Sequence, residues 1–588
     1  MNIENILNKN SIPYQQAGND LVINCPFCNK ILGGNPVATF HIDQSYYRGN
    51  CNSCSKIADW EEISEKLGII SEKENIEKEE KKTEEKEDKR ERTSQSDQLV
   101  KLIENTEGIE LFHDDLNEPH IRININGHCE NWRCRSKQFK RYLSSLYWNS
   151  YKKAPNTDAI NTALGVIEAK ACFDGNKFEL FNRVAWLNDS LWYDLTNNNW
   201  QAVKINSEKW EIVHEPPILF KHYNHQKLQI TPEKNGSIDE IFKFINIQNE
   251  NHRILLRVYI VSSFIPDFPH PILCLYGSQG SAKSTLSRLL KMLIDPSAFG
   301  VTDFPKDGME LAQKLHNQWF SFFDNVSYLS GNTSDILCRA VTGAGVSKRE
   351  LYTDGDDIIY HIKRPIGLNG INLIINKPDL LERSLLIELQ EIPDDQRKAE
   401  KEIMEEFEKC LPKILGSIFD ILSKALKIRP AIKLKSMPRM ADFALWGCAI
   451  TEALGYDQNR FSEAYNENIN KQNDEALYEN PVAMALTNFM EDKEIWTGTS
   501  TKLLSEIKLI AQNLKIEEKT LPKAPNALSR ILNQIKPNLK KIGIEIIKED
   551  GKQRILVIQK TKNNIVNIVD DANAVSDIND KNDNYDNF

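Results

Sequence analysis

The residues best placed to do chemistry lie between Ile272 and Arg383. A short apolar run, Ile272–Tyr276, leads into Gly277-Ser278-Gln279-Gly280-Ser281-Ala282-Lys283-Ser284-Thr285 and then into the helical pattern TLSRLLKMLI. A loop between a strand and a helix N-terminus aims backbone N–H groups at an anion, so these nine residues are expected to cradle the phosphates of ATP. Lys283 would neutralise the β- and γ-phosphates and Ser284 would coordinate Mg²⁺. Ala282 stands where the G-x-x-x-x-G-K-[ST] pattern has its second glycine, which is tolerable only if its backbone stays in a region open to a Cβ. Further on, WFSFF closes on Asp324-Asn325, a hydrophobic strand ending in an acid, where a second Mg²⁺-linked carboxylate belongs. Asn325 cannot act as a base. Either it orients the attacking water, or another acid such as Glu350 or Asp379 reaches in.

A second constellation is metal-binding. Cys25-Pro-Phe-Cys28 and Cys51-Asn-Ser-Cys54 are two C-x2-C pairs, each able to bite one ion, and four thiolates make a closed tetrahedral Zn²⁺ site that stabilises a fold instead of catalysing. His41 lies between the pairs and is the alternative ligand, expected more often on the surface or beside the site. Cys129 and Cys134, with His120 and His128 nearby, are too loosely spaced for a second site and are expected to be structural.

The elements that must position these residues follow from composition and periodicity. A chain of 588 residues exceeds one hydrophobic core and predicts several domains. With 40% hydrophobic and 27% charged residues the average is that of a water-soluble globular protein. No run reaches the roughly 18 apolar residues of a membrane span, and the start MNIENILNKNSIPYQQ lacks a signal-peptide layout, so a cytoplasmic address without membrane contact is expected. The net charge of -10 excludes a whole-surface electrostatic grip on nucleic acid and leaves DNA contact to local basic patches.

The expected fold is multidomain α/β. Residues 1–69 form the cysteine-bearing front unit, and 70–98, almost purely charged, a linker. Residues 99–236, with short aromatic and β-branched runs, read as an α+β adaptor or collar. Residues 237–470 alternate strands and helices around the phosphate loop. Residues 481–560 end in two β-rich runs around Asp550-Gly551 and read as a winged helix, with PNALSRILNQI as its recognition helix and Arg530, Lys536, Lys552 and Arg554 as phosphate contacts. The acidic tail 561–588 is expected to be disordered.

Several stretches resemble known families. CPFCNK followed by ATFHIDQSYYRGNCNSCSKIADWEEISEKLG resembles the zinc ribbon of bacterial replicative primases over roughly the first 70 residues. That resemblance implies engagement of single-stranded template, with Tyr46, Tyr47 and Arg48 either stacking on bases and touching phosphate or packing the ribbon itself. No acidic polymerase core follows that would complete a primase. The run from Gly277 to Arg383 has the phosphate loop, Asp324, the hairpin sequence GAGVSKRELYTDGDDIIYHIKRP with a strand ending at Asn369, and PDLLERSLLIEL, four motifs in order. It resembles superfamily 3 and minichromosome-maintenance-like AAA+ helicases, notably replication proteins of phages and mobile elements. LWYDLTNNNWQAVKINSEKWEIV resembles the domain preceding the motor in poxvirus- and phage-type primase-helicases.

The helicase resemblance implies roles for single residues. Asn369 would be the sensor of the γ-phosphate or lytic water, and Arg383 the arginine finger supplied to a neighbouring subunit, which makes the assembly a homo-oligomeric ring, a hexamer. Lys348, Arg349 and Lys363 would grip the DNA backbone from the hairpin. The expected function is an ATP-dependent replicative DNA helicase of a mobile element or phage, working with a primase or host replication protein. The alternatives are an ATP-switched origin-binding initiator that recruits a helicase without unwinding, a helicase-linked primase component, and a zinc-bearing regulator that uses ATP only for assembly.

Overall fold

The computed structural model describes residues 3–28, 31–32, 35–36, 38–69, 94–125, 127–349, 357–360, 362–375, 377–549 and 555–561. The chain divides into two compact units, Met1–Leu102 with Leu146–Ala163, and Ile103–Ser145 with Leu164–Phe588. Most of the expected linker and the tail from residue 562 lie outside the described residues; from Gln95 to Glu104 the chain is helical.

The first unit is built on a five-stranded antiparallel sheet in the order Tyr14–Ala17, Asp20–Asn24, Thr39–Asp43, Arg48–Cys51, Ile57–Asp59. Alternation within the second and third strands sends Leu21, Ile23, Phe40 and Ile42 to one buried face. Gly49 is fixed by packing: a Cβ there would lie 2.3 Å from the Phe40 ring. Asp59 ends the last strand and caps the helix Trp60–Lys66, accepting from the Glu62 N–H at 3.0 Å.

The second unit begins with two small sheets. One has the order His128–Arg133, Pro119–Ile125, Ile109–His113, Asn176–Lys177. The other is an antiparallel meander of Val184–Leu187, Ser190–Asp194, Gln201–Ile205 and Trp210–His214. Ser190–Asp194 is buried along its whole length because both faces are covered. Tyr193 packs against Phe264 and Phe419, and Trp210 donates from Nε1 to Oδ1 of Asp420 at 2.8 Å. One hydrophobic core therefore runs from Val184 to Ala476, across residue 237.

At its centre lies a four-stranded parallel sheet in the order Ser321–Phe323, Ile366–Asn369, Ile272–Tyr276, Ser384–Glu388. All four strands are nearly or wholly buried, as the continuous apolar runs require. The chain leaves Tyr276 and returns at Ser321, two strand positions away, with Ile366–Asn369 inserted between; such a gap opens a crevice at the carboxyl ends of the strands. Three helices, Glu400–Ile428, Ala441–Ala453 and Gln458–Tyr478, follow. The C-terminal part runs helix Pro481–Phe489, strand Ile495–Thr499, helices Ser500–Asn513 and Pro525–Lys541, and the antiparallel strands Ile544–Glu549 and Ile555–Lys560, with Ile555–Lys560 in the middle of the sheet. No helix among the described residues is long and apolar enough to cross a membrane.

Candidate functional site

Of the nine residues, Gly277 to Ala282 join the strand Ile272–Tyr276 to the helix Lys283–Ile294, whose first turn holds Lys283, Ser284 and Thr285. Gly277 has φ 146° and Gly280 φ 79°, both in the region glycine favours. Ala282 adopts φ 58°, ψ 28°, the small left-handed region that an L-residue enters at a cost of roughly 1–2 kcal/mol. The condition set by the sequence is thus met only at the price of strain. No side chain caps this helix, so its first N–H groups face the loop without a competing carboxylate or hydroxyl.

Lys283 folds back on the loop, its Nζ donating to the carbonyls of Gly277 (3.0 Å) and Ser278 (2.6 Å) and to Oγ of Ser281 (3.1 Å). Partial burial lowers its pKa, opposed by the charge of Asp324. Ser284 Oγ donates to Oδ1 of Asp324 at 2.9 Å, which joins the start of the helix to the end of the strand Ser321–Phe323. Two oxygens this close, one hydroxyl and one carboxylate, suit a single hard cation.

Asn325 has φ 51°, and its N–H donates to Oδ1 of Asn369 at 2.7 Å. Asn369, almost wholly buried, donates from Nδ2 to Oγ of Ser287 at 2.8 Å, and Ser287 donates to the Lys283 carbonyl at 2.8 Å. The expected sensor is therefore wired at both ends, to the residue after Asp324 and to the phosphate-loop helix. Ser287 is a residue the sequence reading missed, although it stands one turn beyond Ser284 on the same face.

Arg383 is brought to Asp379, not to the loop of its own chain. Its Nη1 lies 2.5 Å from Oδ1 of Asp379 and also donates to the Asp379 carbonyl at 2.6 Å. Arg439 shares that carboxylate at 2.5 Å and reaches Glu382 at 2.8 Å. Asp379, one of the two acids considered as a base, is occupied by two guanidinium groups; Glu350, the other, lies outside the described residues.

The expected hairpin is present as Val346–Arg349 paired antiparallel with Asp357–Tyr360. The side chains of Lys348 and Arg349 lie outside the described residues. Lys363 falls beyond the hairpin strands, its Nζ donating to the Asp267 carbonyl at 2.8 Å. In the C-terminal part Arg530 and Lys536 are exposed on the helix Pro525–Lys541, while Lys552 and Arg554 fall outside the described residues.

A buried ionic cluster that no sequence pattern revealed ties the phosphate-loop helix to the meander. Lys291 Nζ lies 2.9 Å from Oδ2 of Asp295 and donates to Gln318 Oε1 and the Phe320 carbonyl, while Arg183 Nε lies 3.1 Å from Oδ1 of Asp295. Burial opposes the charge on Asp295, but Lys291 and Arg183 prevail and bring its pKa down to about 2.

In the first unit the sulfurs of Cys25, Cys28, Cys51 and Cys54 all lie within 4.8 Å of one another. Tetrahedral coordination at Zn–S of about 2.3 Å needs S···S separations of roughly 3.8 Å, and Cys28 and Cys51 stand at 3.7 Å. Burial works against a thiolate at Cys51, but the N–H groups of Cys54 and Ser53 point at its sulfur and bring its pKa to about 6. His41 stays outside the cluster, 3.9 Å from Asp20. Tyr46, Tyr47 and Arg48 are all exposed, Tyr46 to 76%. Among the described residues no second cluster forms: His120 stacks on Phe112 beside Asp114, and His128 stacks on Trp200.

Two solved apo structures of the NrS-1 C terminal region align with this chain at 14% and 13% identity, each with a TM-score of 0.38, over 79% of this chain and 98% and 99% of theirs. Comparison with curated proteins returns no match. Residues 238–475 match the family model of the actinomycete integrative conjugative element replication protein, and residues 482–574 match the C-terminal domain of the same RepA family. Over these two consecutive segments, from the parallel sheet to the C-terminal strands, the chain is similar to the replication protein of a mobile element.

Proposed function

We propose that the chain is an ATP-driven DNA helicase of the AAA+ class that replicates a mobile element, working as a ring in which Arg383 completes the ATP site of the neighbouring subunit. The observation that carries this reading is the hydrogen bond between Ser284 and Asp324, which brings the phosphate-loop hydroxyl and the strand-end acid to one point. Mg²⁺ held there would neutralise charge on the ATP phosphates. Lys283 binds the phosphates once it leaves the loop carbonyls, and Asn369 relays their presence through Ser287 and Asn325. The paired strands Val346–Arg349 and Asp357–Tyr360 supply the DNA contact of the motor. The C-terminal order helix, strand, two helices and a two-stranded hairpin supports a winged helix presenting Arg530 and Lys536 to DNA. The four sulfurs of the first unit fit Zn²⁺, which would fasten the ribbon and leave Tyr46 free to stack on a base.

The decisive experiment is strand displacement on forked DNA bearing a 3′ or a 5′ tail, comparing the native protein with Lys283→Ala and Arg383→Ala. ATP-dependent separation lost in both variants is the expected result. A specific observation favours a second reading: Asn325 carries no acid, and Asp379 is engaged with Arg383 and Arg439. A protein that binds DNA and ATP yet separates no strands would be an ATP-switched initiator.

A further inference from the structure

The segment after the strand Ser384–Glu388 lies directly on the phosphate loop. Leu389 donates its N–H to the Tyr276 carbonyl at 2.9 Å, and Ile392 donates to the Gly280 carbonyl at 3.3 Å. A Cβ on Gly277 would lie 2.2 Å from the Leu389 carbonyl oxygen, and one on Gly280 would lie 2.9 Å from Nη2 of Arg397. Gly280 is called for by its φ, and the Arg397 guanidinium is seated directly against it.

Arg397 belongs to none of the motifs read from sequence. Its Nη1 lies 2.7 Å from Asp394, its Nη2 3.2 Å from Glu391, and its Nε donates to the Ile392 carbonyl at 3.1 Å. Both acids and Arg397 itself are exposed, so these ion pairs are weak and readily exchanged. A phosphate offers the same fork of oxygens with more charge, and a guanidinium matches it in two parallel hydrogen bonds. A cation clamped by two carboxylates at the mouth of an anion-binding loop is set up for that exchange.

We propose that Arg397 is a nucleotide-contacting residue supplied by the same subunit, which leaves Glu391 and Asp394 to bind the terminal phosphates of ATP together with Lys283. The inference rests on the reading of residues 277–285 as an ATP site. It also gives that site a lever: Arg397 stands just before the helix Glu400–Ile428, and Glu400 is paired with Arg288 of the phosphate-loop helix.

The test is titration of the full-length protein with fluorescent (mant) ATP and mant-ADP in the presence of Mg²⁺. Arg397→Ala is expected to weaken ATP by about tenfold or more, the size of a lost charge-assisted contact, and to weaken ADP less. Arg397→Lys should recover part of the loss. Glu391→Gln, which removes a competing anion, should act in the opposite direction and tighten ATP several-fold. The inference is overturned if Lys283→Ala abolishes binding while Arg397→Ala leaves both nucleotides unchanged, or if Glu391→Gln weakens ATP as Arg397→Ala does, because the ion pairs would then be only a brace. A native protein that binds no MgATP overturns the ATP-site reading first, and this inference with it.

Discussion

Ser284 and Asp324 meet at 2.9 Å although the chain between them carries two helices, because Ile366–Asn369 pairs with both of their strands and sets the register: Phe323 stands opposite Leu368, and Leu275 opposite Asn369. The hydroxyl and the carboxylate are thus brought to one end of the sheet before any ligand arrives. Asp324→Asn keeps the shape and the hydrogen bond to Ser284 but removes the charge that would hold a cation. Its ATP turnover is expected to fall by at least about a hundredfold with ATP-independent DNA binding retained, as measured by phosphate release and by gel shift. Equal loss of both would place the residue in folding instead of in the site.

Much of this site was legible in the sequence because its motif is local. Loop, helix start and strand-end acid are each written in consecutive residues, and the C-x2-C pairs likewise declare themselves by spacing. What escaped was what the third dimension joins. Arg183 and Asp295 meet in one buried cluster with Lys291 although they stand 112 positions apart, and no local pattern marks them as partners. Arg397 reaches Gly280 only because the strand Ser384–Glu388 lies beside Ile272–Tyr276. Ala282 is a subtler case: the missing glycine was visible, but only the backbone shows that the residue takes φ 58° nonetheless.

Metal removal should affect the first unit selectively. The native protein is expected to carry one Zn²⁺ per chain by elemental analysis, and Cys51→Ser to lose it. Because a structural zinc site contributes about 10–16 kcal/mol of apparent binding energy in small domains, residues 1–69 should then become protease-sensitive. ATP turnover, which the proposed reading assigns to the second unit, should persist. Full metal content in Cys51→Ser would mean that the four sulfurs are not the ligand set.

His270 predicts a pH dependence of stability. It is buried, donates from Nε2 to the Ile265 carbonyl at 3.0 Å, and its Nδ1 has no partner, so it folds as the neutral ring. Burial lowers its pKa from 6.5 to about 3. A folded pKa below the unfolded one means that this contribution is fully present above pH 6.5 and is lost as pH falls toward about 3, at up to about 1.4 kcal/mol per pH unit. His270→Gln keeps a donor but cannot titrate. Thermal melts of the native protein should lose more between pH 7 and pH 5 than those of the variant; parallel losses would show that His270 is neutral to the balance.

Arg383 poses the sharpest choice, since its guanidinium is held by Asp379 at 2.5 Å and its side chain is only 14% exposed. A finger that completes a neighbour's site must give up that partner, and Arg439, already sharing the carboxylate, remains to keep Asp379 paired. If it does so, Arg383→Ala should lower turnover by about 10³–10⁵ with ATP binding nearly intact. Mixing must then separate the two possibilities. Subunits carrying Arg383→Ala have a sound phosphate loop and no finger, while subunits carrying Lys283→Ala have the finger and no phosphate lysine; placed side by side they assemble one complete site from two inactive proteins. Recovery of ATP turnover on mixing is the expected result. If the mixture stays inactive, and Asp379→Ala costs as much as Arg383→Ala, then the pair is a brace within one chain and the ATP site is completed from elsewhere.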